Sequence, residues 1–214
     1  MTNDPIPYVV VGSGDPSSAP QGAIPIDLYG ESSEGPPGPT GPGVAPEGST
    51  GEFLVKASNS SYDTEWKKLT WGAFYSTVTQ DLPVANQAYP VNFGLTAYAD
   101  GISVSDSFIT VSQQGTYNLQ FSLQVTSATQ QLRTAYIWLR ENAVNVPHST
   151  GKISISETNS IQIATWNYFL QADAGDFYEL MIQVNGTGVS LGAEGASGNY
   201  PETTSAILTM HQVN

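Results

Sequence analysis

The 214-residue chain is long enough for one ordinary domain with an appendage and too short for two large domains. Charged residues make up only 12% of it, six basic against 19 acidic for a net charge of −13, so there is no basic patch to neutralise phosphates or anionic headgroups. Nucleic-acid binding and polybasic membrane contact are thereby excluded, and the absence of cysteine removes disulfides, thiol catalysis and thiolate zinc sites.

Composition divides the chain near residue 50. Ten of the 14 prolines precede that point, and no lysine or arginine appears before Lys56. A segment this polar and proline-rich cannot bury a core of its own. Within residues 1–34 two apolar clusters interrupt it, one with Tyr8, Val9, Val10 and Val11, the other with Ile24, Ile26, Leu28 and Tyr29. Short apolar pieces on an extended polar strand suit docking, by strand addition or by filling pockets. The expectation is an extended anchor arm bound to a partner; the alternative is that the clusters pack on the protein's own body. The chain opens with neither a basic stretch nor an apolar core of the export-signal kind, and it has no apolar run of bilayer-spanning length. Neither export nor membrane insertion is expected.

Residues 35–50 form a Pro/Gly neck. Gly35, Gly38 and Gly41 recur every third residue among Pro36, Pro37, Pro39 and Pro42, the collagen pattern, in which only glycine fits the crowded axis of three chains. Three triplets are too few to hold a triple helix alone. At ~3 Å per residue they span about 27 Å, so the head stands close to whatever holds the arm.

Residues 51–70 predict two short strands, Phe53–Val55 and Thr64–Leu69, around a turn at Asn59–Asp63. The stretch Gly51-Glu52-Phe53-Leu54-Val55-Lys56-Ala57-Ser58, followed by Tyr62-Asp63-Thr64-Glu65-Trp66, resembles a segment that recurs in bacteriophage fibre proteins. That resemblance implies a virion appendage and a collar gathering three chains.

From Trp71 to Asn214 the pattern is β. Tyr117, Leu119, Phe121, Leu123 and Val125 alternate with polar residues, the period-two mark of a strand with one buried face. Further strands are expected within Gly101–Val111, Thr134–Asn142, Lys152–Ser156, Ser160–Ala172, Asp176–Gly186 and Ser205–Val213, with turns at Asp100-Gly101, Gln114-Gly115, Glu141-Asn142, Ala174–Asp176 and Asn185-Gly186. No helix is predicted. The fold class is all-β, an antiparallel sandwich of jelly-roll type behind a largely irregular arm.

The order of these signals resembles the C1q/TNF-like domain over about two thirds of the chain. The carriers are Pro90–Gly94 in an early strand, the strand centred on Tyr117, the strand and turn Ala135–Ser149, the Leu170, Gly175, Asp176, Leu180 signature, and a closing strand at Ser205–Val213. Ala143 departs from the family, standing where its turn has glycine. The resemblance implies a homotrimer, often behind a collagen-like stalk, and the neck agrees. Apolar residues on both faces of one strand, Tyr136 with Ile137 and Trp138 with Leu139, fit either a subunit interface or the sandwich interior.

Chemistry is sparse. His148 and His211 are the only imidazoles, and no serine or carboxylate stands beside either at a diagnostic spacing. His148 is expected to be exposed in a turn, and His211 to be packed or at an interface. The sequence Val11–Asp15 precedes no predicted helix, so a phosphate site is not expected. The glycine-rich Gly186–Asn199 reads as a long loop at one end of the sandwich, where binding residues gather. Asp100, Asp106, Asp173, Asp176, Glu194 and Glu202 offer oxygen ligands for calcium, which several C1q-like heads bind, but their spacing is not a calcium pattern, and solvated loop charge is the expectation. No enzyme activity and no cofactor are expected.

Two functional readings follow. The first is a homotrimeric virion fibre, on the capsid or as a short tail-associated fibre, made in the host cytoplasm and released by lysis. Its arm would bind capsid or tail proteins and its head a host-surface glycan or protein. The second is a bacterial spore- or cell-surface collagen-like protein with a C1q-like head, a class that usually carries far longer Gly-x-y tracts.

Overall fold

The structure, a computed structural model, describes residues 45–214. The arm residues Tyr8, Val9, Val10, Val11, Ile24, Ile26, Leu28 and Tyr29, and the neck glycines Gly35, Gly38 and Gly41, lie outside the described residues. What is described falls into two bodies, residues 45–47 with Leu54–Glu65, and Gly48–Phe53 with Trp66–Asn214.

The smaller body is built around a turn. Its residues 54–56 and 64–65 belong to strands β1 (Phe53–Lys56) and β2 (Thr64–Lys67), which make a two-stranded sheet. Between them the Ala57 amide donates to Asp63 O at 3.0 Å, the Ser60 amide donates to Ser58 Oγ at 3.1 Å, and Tyr62 takes a left-handed conformation at φ 61°. The Ser58 hydroxyl donates to the Asp63 carboxylate, and Lys56 Nζ donates to Ser60 O. Short polar side chains bonded to their own backbone are what make such a sequence turn.

The larger body holds fourteen strands and, like the rest of the described residues, no helix. They are β3 (Trp71–Ser76), β4 (Gln80–Asp81), β5 (Ala88–Pro90), β6 (Leu95–Asp100), β7 (Ile102–Ser105), β8 (Phe108–Val111), β9 (Gly115–Ser127) and β10 (Arg133–Glu141), then β11 (Val144–Asn145), β12 (Gly151–Ile155), β13 (Ile161–Ala172), β14 (Phe177–Val184), β15 (Val189–Leu191) and β16 (Ala206–Gln212). One sheet runs β6-β3-β16-β9-β13, extended at one end by β15 and β4; the other runs β7-β8-β14-β10-β12, with β5 and β11 attached.

The pairing is nested. The first long strand, β3, pairs with the last, β16; β8 pairs with β14, β9 with β13, and β10 with β12, all antiparallel. A chain paired first-to-last, then inward, and divided between two facing sheets is a jelly roll.

Alternation fills the space between the sheets. Tyr117, Leu119, Phe121, Leu123 and Val125 of β9 face Ile137 and Leu139 of β10 and Leu180 and Ile182 of β14 across one core, with Phe74, Phe93, Leu208 and Met210 closing it. Ile137 and Leu139 are thus interior, while Tyr136 and Trp138 stand on the outer face of the second sheet, where Trp138 Nε1 donates to Asn145 Oδ1 at 2.8 Å.

Leu170, Gly175, Asp176 and Leu180 have a structural role. Gly175 turns the chain at φ 93° and donates its amide to Val111 O at 2.8 Å. The Asp176 carboxylate accepts from the Asp173 amide at 2.7 Å and from Asn142 Nδ2 at 2.8 Å, tying the turn before β14 to the turn after β10. Leu170 and Leu180 are buried on either side.

Three local expectations are corrected. The strand expected across Pro90–Gly94 ends at Pro90: Val91 and Phe93 are buried and alternate, and the Val91 amide still donates to Leu180 O in the β5–β14 register, but the Phe93 amide turns away to Asp106 O. The segment Gly101–Val111 is a hairpin, β7 and β8, reversed at Asp106 with φ 57°. The glycine-rich loop contains β15, which continues the line of β16 along β9.

Candidate functional site

The outward face of the first sheet is set by register. Tyr117 and Leu119 point into the core, so Asn118 between them points out, and the same parity runs across the neighbouring strands. One row reads Phe169, Asn118, His211, Trp71; the next reads Asn167, Gln120, Thr209, Ala73, Tyr98; the next Thr165, Ser122, Ile207, Tyr75, Leu95. Exposed large apolar side chains therefore recur across the whole sheet. Tyr98 is 71% and Phe169 65% exposed, and Trp71, Ile207, Leu95 and Ile163 are exposed beside them. Exposed aromatic and aliphatic side chains recurring between polar ones across a whole sheet suit an interaction surface.

One polar atom in this face is unfinished. Asn118 is 8% exposed, and its Oδ1 is buried without a hydrogen-bond partner. Leaving such an acceptor bare costs roughly 1–3 kcal/mol. His211, next to it in the row, is exposed on this same face.

At the β15 end the outward face changes character. The row Ile161, Thr126, Ser190, Asp81 forms the floor of a 660 Å³ open cavity, walled by Gly192, Ala193, Glu194 and Thr203 on one side and Asn159 and Gly188 on the other. The hydroxyls of Thr126 and Ser190 meet at 2.8 Å, and the Glu194 amide donates to Thr203 Oγ1 at 2.9 Å. The side-chain carboxylates of Asp81 and Glu194 have no partner among the described residues, and no basic side chain lines the cavity.

The six acids considered for calcium are not assembled. Asp100 pairs with Lys68 at 2.5 Å, Asp173 accepts from Gln114 Nε2 at 2.9 Å, and the Asp176 carboxylate is spent on its turn. Asp106 occupies the β7–β8 reversal. Of the six only Glu194 lines the cavity, where it meets Asp81, which the sequence did not single out. Among the described residues no cluster of three His, Cys, Asp or Glu side chains could hold a metal ion. His148 sits in a turn at φ 62° and is exposed, as expected.

The shifted titrations belong to the core. Burial pushes the Tyr168 hydroxyl up to about 12, and it donates to Ser149 O at 2.8 Å. Burial, then its 2.8 Å hydrogen bond to Glu141 Oε1, raises Tyr178 still further.

No protein-family model matches the chain, and no curated protein does. Solved structures similar to it include murine APRIL at pH 8.0, with a TM-score of 0.45 and 9% identity over 68% of this chain and 100% of that one. Murine APRIL at pH 5.0 gives 0.44 and 9% over the same shares. The globular domain of a zebrafish complement 1qA protein gives 0.38 and 12%, over 68% of this chain and 98% of that one. The jelly-roll assignment stands on the nested strand pairing described above.

Proposed function

We propose that the protein is a non-enzymatic, homotrimeric virion fibre, its N-terminal arm anchored to capsid or tail proteins and its jelly-roll head held outward to bind a host surface. The observation that carries the reading is the outer face of the first sheet, where exposed Trp71, Tyr98, Phe169 and Ile207 share the face with a buried amide oxygen that has no partner. A second and a third copy covering this face would remove its apolar surface from water and bring donors to Asn118. The three Gly-x-y triplets at Gly35, Gly38 and Gly41 ask for the same number of chains. The segment Gly51–Trp66 supports the virion assignment by its likeness to phage fibres, and three triplets are short for a spore-surface stalk.

Light scattering on the full chain at micromolar concentration tests the assembly. The expected mass is three times the 22.7 kDa of one chain, and a stable monomer defeats the proposal. The anchor is tested by deleting residues 1–34. The head should remain folded and trimeric while its incorporation into particles is lost; normal incorporation rejects the anchor.

A further inference from the structure

We propose that the cavity floored by Thr126, Ser190, Asp81 and Ile161 is a carbohydrate site that takes neutral or amino-bearing glycans and rejects acidic ones. The inference deepens the reading of the head as a host-surface binder and rests on it.

Four observations carry it. The first is size: 660 Å³ lies within the range of small-ligand sites, about 300–1,000 Å³, and is room for a short oligosaccharide. The second is the chemistry of the lining. Two carboxylates without partners, a pair of hydroxyls and the amides of Gln124 and Asn159 offer mainly acceptors, which suits a ligand rich in hydroxyl donors. Charge-assisted hydrogen bonds from sugar hydroxyls to a carboxylate are the strong kind. Ile161 and Pro83 supply apolar surface for the C–H face of a ring.

The third is sign. Two carboxylates and no base in a chain of net charge −13 repel sialylated or sulfated sugars and favour an ammonium where the sugar carries one. The fourth is position. The chain enters the head at Thr70, whose carbonyl accepts from the Gln212 amide, and Gly115 at the start of β9 lies against Gln212 and Asn214. The cavity lies at the other end of β9, around Thr126, roughly 40 Å along the strand at ~3.3 Å per residue.

The test is a glycan array carrying neutral, amino-bearing, sialylated and sulfated oligosaccharides, probed with the full chain, with the isosteric double variant Asp81→Asn/Glu194→Gln, and with Ser190→Tyr, which fills the floor and leaves both carboxylates in place. The native chain should bind one or more neutral or amino-bearing glycans, and both variants should lose about tenfold or more of that affinity. Circular dichroism and light scattering should be unchanged in both. Removing divalent cations with EDTA should leave binding intact. Binding by the double variant equal to native, selection of acidic glycans, loss in EDTA, or no bound glycan at all each overturns the inference. Oligomeric state keeps the two proposals separate. A trimer that binds no glycan fails only here, whereas a monomer whose glycan binding is lost in the double variant fails only the trimer reading.

Discussion

The two sheets each turn one face away from the core, and the nearly buried polar groups on those faces are treated in opposite ways. On the second sheet the nearly buried carboxylate of Glu179 is provided for: Ser107 Oγ donates to it at 3.1 Å and Arg140 Nη2 lies 3.5 Å away. Arg140 also donates to Ala143 O and approaches Met181 Sδ, and Phe108 packs edge-on against Phe177 at 5.3 Å. On the first sheet the nearly buried amide of Asn118 has no partner for its oxygen, and exposed Phe169 and His211 stand on either side of it. A face whose polar groups are paired within the chain is finished as a surface. One that leaves an acceptor bare and also exposes aromatic and aliphatic side chains is finished by something else.

The largest expected effect breaks this contrast directly. Ile207→Asp places a charge in the middle of the first face and should convert the trimer to monomer in light scattering, whereas Tyr136→Asp on the second face should leave the mass unchanged. If both behave alike, the two faces are not different in kind. Next is Glu179→Ala, which strands Arg140 and Ser107. Urea unfolding should show a loss of about 2–3 kcal/mol, below the range for fully buried pairs because Arg140 keeps some solvent. Asn118→Ala should weaken association by about 1 kcal/mol, measured by sedimentation across a dilution series, while raising the unfolding free energy of the unassembled head by a similar amount, because the bare acceptor is gone. An unchanged dissociation constant would mean that no donor from another copy reaches Oδ1.

Two smaller effects sharpen the baseline. Tyr168 titrates near 12 when folded and near 10 when unfolded, so its contribution is fully present below pH 10 and is lost as pH rises toward 12. Urea midpoints should fall across that window, and Tyr168→Phe should flatten the fall. Ala143 occupies a left-handed turn position at φ 65°, where an L side chain costs roughly 1–2 kcal/mol. Ala143→Gly should raise stability by about 1 kcal/mol in thermal or urea unfolding.

The long strands were legible because their burial is periodic: β9 writes its inner face into Tyr117, Leu119, Phe121, Leu123 and Val125, and β16 does the same over seven residues. The same logic misled at Pro90–Gly94, since Val91 and Phe93 alternate in burial while the backbone leaves β14 after Val91 and Phe93 bonds to Asp106 at the β7–β8 reversal. Period two reports which side chains are inside, and a ladder is only one way to put them there. β15 was hidden because three residues among glycines are too few to show a period. The doubled pattern of β10 pointed to the outer face of the second sheet instead; on the first, the decisive row, Phe169, Asn118, His211, Trp71, draws one residue from each of four strands and exists only once register is fixed. Asn118 in sequence looks no different from Gln120 or Ser122. The cavity gathers residues from Thr79 to Thr203 with no motif, so it could not be read in advance.

The pairing of the first strand with the last also settles how the head carries load. Trp71 to Ser76 lie against His211 to Ala206, and Thr70 is where the chain enters. A pull between the outer loops and Thr70 runs along β3 and parallel to its neighbours. The hydrogen bonds to β16 and β6 are then sheared together instead of being opened one at a time, so the strand that leads into the head is also the one best placed to resist being drawn out of it.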